Sequence, residues 1–245
     1  MIKSKIFIYF IISCLVLIFC NFSIASKENP ELVVQKVLCK CDKHSISQEE
    51  FNKLVELGSS GIDPLIKAAT DNAENTNSRW IATRAVGKIG QNIYSDMADS
   101  KRAAKKESEN YKKIQNFLLT MLTDPSPLQK IAASTALGDI GDQSCVDSLI
   151  NLLEQNPPVL VKASVVDSLG ILKNEKAVAP LEKQLYAKEN FHRGKSLWVR
   201  VHVISALGQI QGPQVIEILQ KASLDKDKEV SEEAKLQLAK IQGQS

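Results

Sequence analysis

Few residues in this 245-residue chain have the types and spacing that chemistry needs. The histidines are His44, His192 and His202. Cys39, Cys41 and His44 supply three soft ligands, one short of a closed tetrahedral zinc set, and side chains two apart on a helix diverge by about 200°. Gly194-Lys195-Ser196 has the ending of a phosphate-binding loop, but Glu189 stands where its first glycine belongs and no strand precedes it. No G-x-S-x-G elbow and no His/Cys spacing supports a nucleophile. We therefore expect no catalytic residue, no metal and no cofactor. The remaining functional candidates lie in two charged stretches, Lys101–Lys113 and Phe191–Lys195, and on one face of a series of helices.

The chain opens like an export signal. Lys3 and Lys5 precede the apolar run Ile6–Phe19, and Ser23-Ile24-Ala25 offers small residues for cleavage. The run is shorter than the roughly 20 residues that span a bilayer. Residues 1–25 are read as a signal peptide, with a periplasmic or secreted product starting near Ser26. The alternative is a membrane-anchored lipoprotein at Cys14 or Cys20; each lacks a good lipidation context, with bulky Phe19 before Cys20 and an apolar run after Cys14. Without Lys3 and Lys5 the chain carries 29 basic and 28 acidic residues, a net charge of +1. That balance argues against nucleic acid as a partner. Three cysteines then remain, an odd number, so this is no disulfide scaffold.

Five segments repeat: 79–90, 130–141, 162–173, 200–211 and 231–242, anchored at Gly87, Gly138, Gly170, Gly208 and Ala239. The anchors are 51, 32, 38 and 31 residues apart, so a unit of 31–32 residues carries two insertions. Counted from the anchor, positions −9, −5, −2 and +2 fall on one helical face at about 100° per residue and hold apolar or small residues except at Gln129 and Gln237. A second helix precedes each segment, at Ile62–Ala73, a stretch ending near Met121, Cys145–Gln155, Glu175–Lys188 and Pro213–Ser223. Met97, Ala104, Tyr111 and Leu118 recur every seven residues, which predicts that the second of these runs back to about Met97. Asp142 and Asn174 suit N-caps, and Pro127, Pro158 and Pro213 suit first turns. Ahead of the units, Glu31–Cys41 and Gln48–Leu57 read as two capping helices, the second opened by Ser47 and Glu50. No alternating strand pattern appears after the leader. The expected organisation is a helical cap over residues 26–60 and an all-α repeat array over 61–245, with a charged helical insertion at about 91–113.

Val199-Arg200 followed by Ala206-Leu207-Gly208, and Ala132-Ala133 followed by Ala136-Leu137-Gly138-Asp139-Ile140-Gly141-Asp142, resemble HEAT repeats of the short class first named from phycobilin lyases. Val178-Ala179-Pro180-Leu181 and Ile62-Asp63-Pro64-Leu65-Ile66 are similar to the second half of that signature. The resemblance implies a right-handed α-solenoid of about five helical pairs, each an outer A helix and an inner B helix, the anchored segments being the B helices. It also implies that the cation at −8 (Arg79, Lys130, Lys162, Arg200) pairs with a residue six positions upstream in its own turn. Asp124 would then pair with Lys130 and Asn156 with Lys162, while Asp225 would face Ser231 and lack a cation. HEAT-repeat hydroxylases bind iron through His-Glu pairs, and none of the three histidines here is followed by Glu.

Positions −7, −4, −3 and 0 point away from the predicted buried face, where a soluble helix should be polar. Trp80, Ile131, Val166, Val201 and Ile204 are not, and Arg84 lies among them. Two accounts stand: packing between neighbouring B helices, or an apolar groove for a protein partner. Phe191 and Arg193 add a candidate contact on a loop. The functional expectation is an exported, non-catalytic adaptor that binds another protein through its concave face. The alternative implied by the resemblance is a lyase or isomerase acting on protein-bound bilin.

Overall fold

The computed structural model describes residues 28–40, 46–71, 75–99, 105–192, 195–196 and 198–243. The leader, Cys41, His44, Arg193 and the first part of the Lys101–Lys106 run lie outside the described residues. Among the described residues twelve α-helices follow one another: α1 Pro30–Leu38, α2 Gln48–Glu56, α3 Ile62–Thr70, α4 Thr76–Asp99, α5 Lys105–Met121, α6 Pro127–Ile140, α7 Val146–Glu154, α8 Val159–Leu172, α9 Val178–Tyr186, α10 Val199–Ile210, α11 Pro213–Ala222 and α12 Lys228–Gly243. Among the described residues no helix is long and apolar enough to cross a membrane.

The helices form five pairs behind a two-helix cap. A helices are α3, α5, α7, α9 and α11, and B helices are α4, α6, α8, α10 and α12. Each B helix packs on its own A helix and on the B helices before and after it, which makes an α-solenoid. One hydrophobic core runs through the stack from Val34 to Ala234. The predicted interior face is buried throughout: Ser78, Ala82, Ala85 and Ile89 on α4, Val161, Val165, Ser168 and Leu172 on α8, Val199, Val203, Ala206 and Ile210 on α10.

The anchor glycines explain the repeat. A Cβ on Gly138 would stand 2.8 Å from the Ser168 Cβ and 2.9 Å from its Cα, and one on Gly170 would stand 2.8 Å from the Ala206 Cα. Gly87 meets Ala136 and Gly208 meets Gln237 in the same way. Position 0 of one B helix thus rests on position −2 of the next, so a small residue sets the distance between units. The expectation that position 0 faces outward is corrected here.

Helix ends follow the sequence. Ser47 and Glu50 close a capping box on α2. Asp142 and Asn174 each accept a backbone N–H two residues on, and Gly141 ends α6 at φ +83°. Unit one keeps the glycine, as Gly90, but Gln91 stands in the place of Asp142, where a short Asp or Asn side chain would cap the next turn, and glutamine favours helix, so α4 runs on to Asp99. Met97 therefore belongs to the first B helix and not to the second A helix. The prolonged α4 and α5 are joined where Tyr94 stacks on Tyr111, with ring centroids 5.1 Å apart. The Tyr111 phenol donates to Asp142 at 2.7 Å, and Gln115 donates to Asp142 and Ser144. Burial and the adjacent carboxylate push the Tyr111 phenol far up. The one departure from all-helical structure among the described residues is a two-residue antiparallel ladder, Phe191 with Ser196 and His192 with Lys195, inside the second insertion.

Candidate functional site

The basic ladder at −8 is structural, and besides bonding within its own unit it staples that unit to the next. Arg79 of unit one donates through Nε to the Ala69 carbonyl at 2.9 Å and through Nη2 to Asp124 of unit two at 2.7 Å. Arg200 of unit four repeats the arrangement, with Leu185 at 2.8 Å and Asp225 of unit five at 2.5 Å. Asp225 therefore has its cation, and Ser231 hydrogen-bonds the Ser223 carbonyl at 2.8 Å. Lys162 reaches Asn156 of its own turn at 2.8 Å, as the spacing predicts, and also Asn190 of unit four at 2.7 Å. The predicted Asp124–Lys130 pair is absent: Asp124 is taken by Arg79, and Lys130 makes no ion pair or hydrogen bond from its ammonium among the described residues. Lys162 is buried against neutral amides, so desolvation lowers its pKa, with Glu189 opposing.

The apolar stripe divides in two. Val166 and Ile204 are 0% exposed and belong to the core, which removes them from any groove. Their position, −4, faces a neighbouring B helix, where Thr83 and Ser134 form interhelical hydrogen bonds to Gln129 and Ser164. A helix count that assumes one buried face fails for a helix with neighbours on three sides. Trp80, Ile131 and Val201 are half-buried at the edge of the core. Phe191 covers the Arg200 guanidinium, 4.5 Å from ring centroid to Cζ, and so supports the staple.

Exposed apolar side chains stand one turn nearer the helix starts. Leu128, Leu160 and Trp198 are 38%, 63% and 42% exposed. Each lies ten residues before its anchor, at the start of one of three successive B helices, Trp198 as the N-cap of α10. The anchor register already contained this signal, because the same offset gives a large apolar residue three times running.

Beside this line the row is polar. His202 Nδ1 lies 2.7 Å from Asp167 Oδ1, and its ring meets the Trp198 indole edge-on at 4.7 Å. An imidazole oriented by a carboxylate can move a proton, yet among the described residues no hydroxyl or thiol hydrogen-bonds that ring. Cys145 is not an activated nucleophile either: burial pushes its thiol up to about 12. At the N-terminal end, Phe51, Arg84, Lys88, Gln91, Thr135 and Asp139 line a cleft of about 80 Å3. Burial raises the Asp139 carboxyl, with Lys88 and Arg84 opposing the shift.

Residues 115–193 match the family model described as HEAT repeats, and residues 199–225 match the one described as PBS lyase HEAT-like repeat. Human deoxyhypusine hydroxylase in complex with glycerol is 18% identical, with 86% of this chain and 84% of that one covered at a TM-score of 0.45. The complex of CpcE and CpcF of phycocyanin lyase from Nostoc is 21% identical, with 86% and 76% covered at a TM-score of 0.47. No curated protein matches this chain. Residues 115–193 are thus similar to HEAT repeats and residues 199–225 to the PBS lyase HEAT-like kind, within an α-solenoid of five stacked helical pairs.

Proposed function

We propose that this chain is an exported, non-catalytic adaptor that holds another protein against the exposed face of its B helices. The observation that carries the reading is the line of Leu128, Leu160 and Trp198, three exposed apolar side chains at one register on consecutive helices. Solvent-facing apolar residues aligned in this way are what a docking surface requires, and a large aromatic at its end is where binding energy concentrates. What supports export to the periplasm or outside the cell is Lys3, Lys5, the apolar run Ile6–Phe19 and the cleavage-compatible Ala25. A lipid anchor at Cys14 or Cys20 is the alternative mode of retention.

The test is crosslinking and pull-down from the envelope fraction with the native protein and with Trp198→Ala and Leu160→Ser. Loss of a captured protein at unchanged melting temperature supports the adaptor; capture equal to the native protein in both variants sinks it. N-terminal sequencing of the same material should begin near Ser26, and a start at Met1 would contradict the cleaved leader.

The second reading is an enzyme acting on protein-bound bilin. It is favoured by one observation, the His202–Asp167 pair, whose histidine lies inside the segment similar to the PBS lyase repeat. A shift in bilin absorbance on mixing with the native protein, lost in His202→Gln, would replace the adaptor reading with this one.

A further inference from the structure

Arg84, at −3 on α4, is the described arginine whose hydrogen-bonding edge is unspent. Arg79 and Arg200 are committed to a carbonyl and a carboxylate. Arg84 is exposed and makes no hydrogen bond or ion pair among the described residues. It is nevertheless held in place. Its Cζ lies 4.9 Å from the centroid of the Trp80 ring, one turn back on α4, and 5.3 Å from that of Phe51, on the capping helix α2. Aromatic rings attract a guanidinium and restrict its rotamers, while its N–H groups point along the edge of the plane, free for a ligand. Such an arginine has already lost part of the entropy that binding would otherwise take.

Around it the cleft is small and mixed in charge. Lys88 stands one turn further along α4 and donates one N–H to Gln91 at 2.7 Å, which leaves two. Asp139 of α6 forms the opposite wall, and Gln91 is tied to its backbone carbonyl at 2.8 Å. A guanidinium fork matches a carboxylate through two parallel hydrogen bonds. Asp139 repels any anion brought to Arg84, a phosphoryl dianion about twice as strongly as a carboxylate monoanion, and a nucleic-acid backbone would need a longer basic track than these two cations provide. Asp139 can in turn accept an N–H from a peptide backbone.

We propose that Arg84, steadied by Trp80 and Phe51 and assisted by Lys88, anchors an aspartate or glutamate side chain in an acidic segment of the partner protein. This rests on the adaptor reading and adds the partner's chemistry to it. The capping helix then does more than cover the end of the stack, because it supplies one ring of the anchor.

The probe is N-acetyl-hexaglutamate amide, titrated into the purified protein and followed by the Arg84 Nε–H resonance and by fluorescence of the two tryptophans. Binding should shift that resonance. Affinity should fall at least tenfold in Arg84→Gln and several-fold in Phe51→Leu, which keeps the charge. It should change less than twofold in Lys183→Gln, which removes one positive charge from the exposed surface of α9. Melting temperatures verify that the variants are folded. An unmoved Arg84 resonance, an equal loss in Lys183→Gln, or tight binding of inorganic phosphate without hexaglutamate would each overturn the proposal. The two readings fail separately. Capture of an envelope protein that needs Trp198 but not Arg84 keeps the adaptor and removes the carboxylate anchor. Arg84-dependent hexaglutamate binding with no protein captured does the reverse.

Discussion

Replacing Arg200 with methionine tests whether the −8 cations hold units together. The Arg200 side chain is 2% exposed and that of Asp225 is 17% exposed. Methionine keeps an apolar stem but leaves the Asp225 carboxylate facing a region its cation has vacated. Breaking a buried pair from one side costs roughly 3–5 kcal/mol. Asp225 retains the Asp227 backbone N–H at 2.8 Å and some solvent, which places the loss near the lower end, about 3 kcal/mol. At about 1.4 kcal/mol per decade this exceeds a hundredfold change in the unfolding constant. Lys130→Met, at the same register but without a partner, should change stability by no more than about 0.5 kcal/mol. Asp225→Asn in the Arg200→Met background should recover part of the loss, because it removes the stranded charge. Urea titration followed by circular dichroism measures the totals, and amide exchange localises the weakening to α11 and α12. An Arg200→Met loss no larger than that of Lys130→Met would refute the staple argument.

Three further outcomes follow from the packing and the caps. Ile204→Asp should destabilise the fold by several kcal/mol in thermal melts, since a 0%-exposed site cannot hydrate the charge; an unchanged melt would return Ile204 to the surface. Gly170→Ala should lose about 1–3 kcal/mol because the new Cβ meets the Ala206 backbone, whereas Gly243→Ala, with nothing nearby, should be neutral in the same denaturant series. Glu50 is held down to about 2 by hydrogen bonds from Lys40 and the Ser47 backbone, against an ordinary value of 4.5. A depressed carboxyl adds stability above its unfolded value and loses it as pH falls through the folded one, so amide protection of α2 should decline from about pH 4.5 toward 2, and Glu50→Gln should abolish that decline.

The interior face was legible because Val203, Ala206 and Ile210 obey a single period set by one interface. So were Asp142, Asn174 and Ser47, whose caps involve neighbours two or three residues away. What failed was contact between units. Asp124 lies six residues from Lys130 and 45 from Arg79, and local spacing favours the wrong partner. Val166 and Ile204 read as outward because the second and third faces of a B helix are defined by residues about 30 positions away. The Arg84 cleft was half visible: Trp80 at i−4 is a sequence-local contact, whereas Phe51 reaches it only through the docking of α2. The export signal and the partner belong to neither class, since no contact among the described residues bears on them.

The gap in the staple ladder has a mechanical meaning. Units one and two are joined by Arg79–Asp124, units three and four by Lys162–Asn190, and units four and five by Arg200–Asp225. Between units two and three Lys130 forms no such staple among the described residues, and the seam is held by hydroxyls such as Ser134 with Ser164 and by Gln115 with Ser144. In a linear array each seam carries its own coupling energy, so cooperativity is only as long as the weakest one allows. The seam between units two and three therefore depends on close packing, Gly138 against Ser168, and on neutral hydrogen bonds, where the other three add a cation.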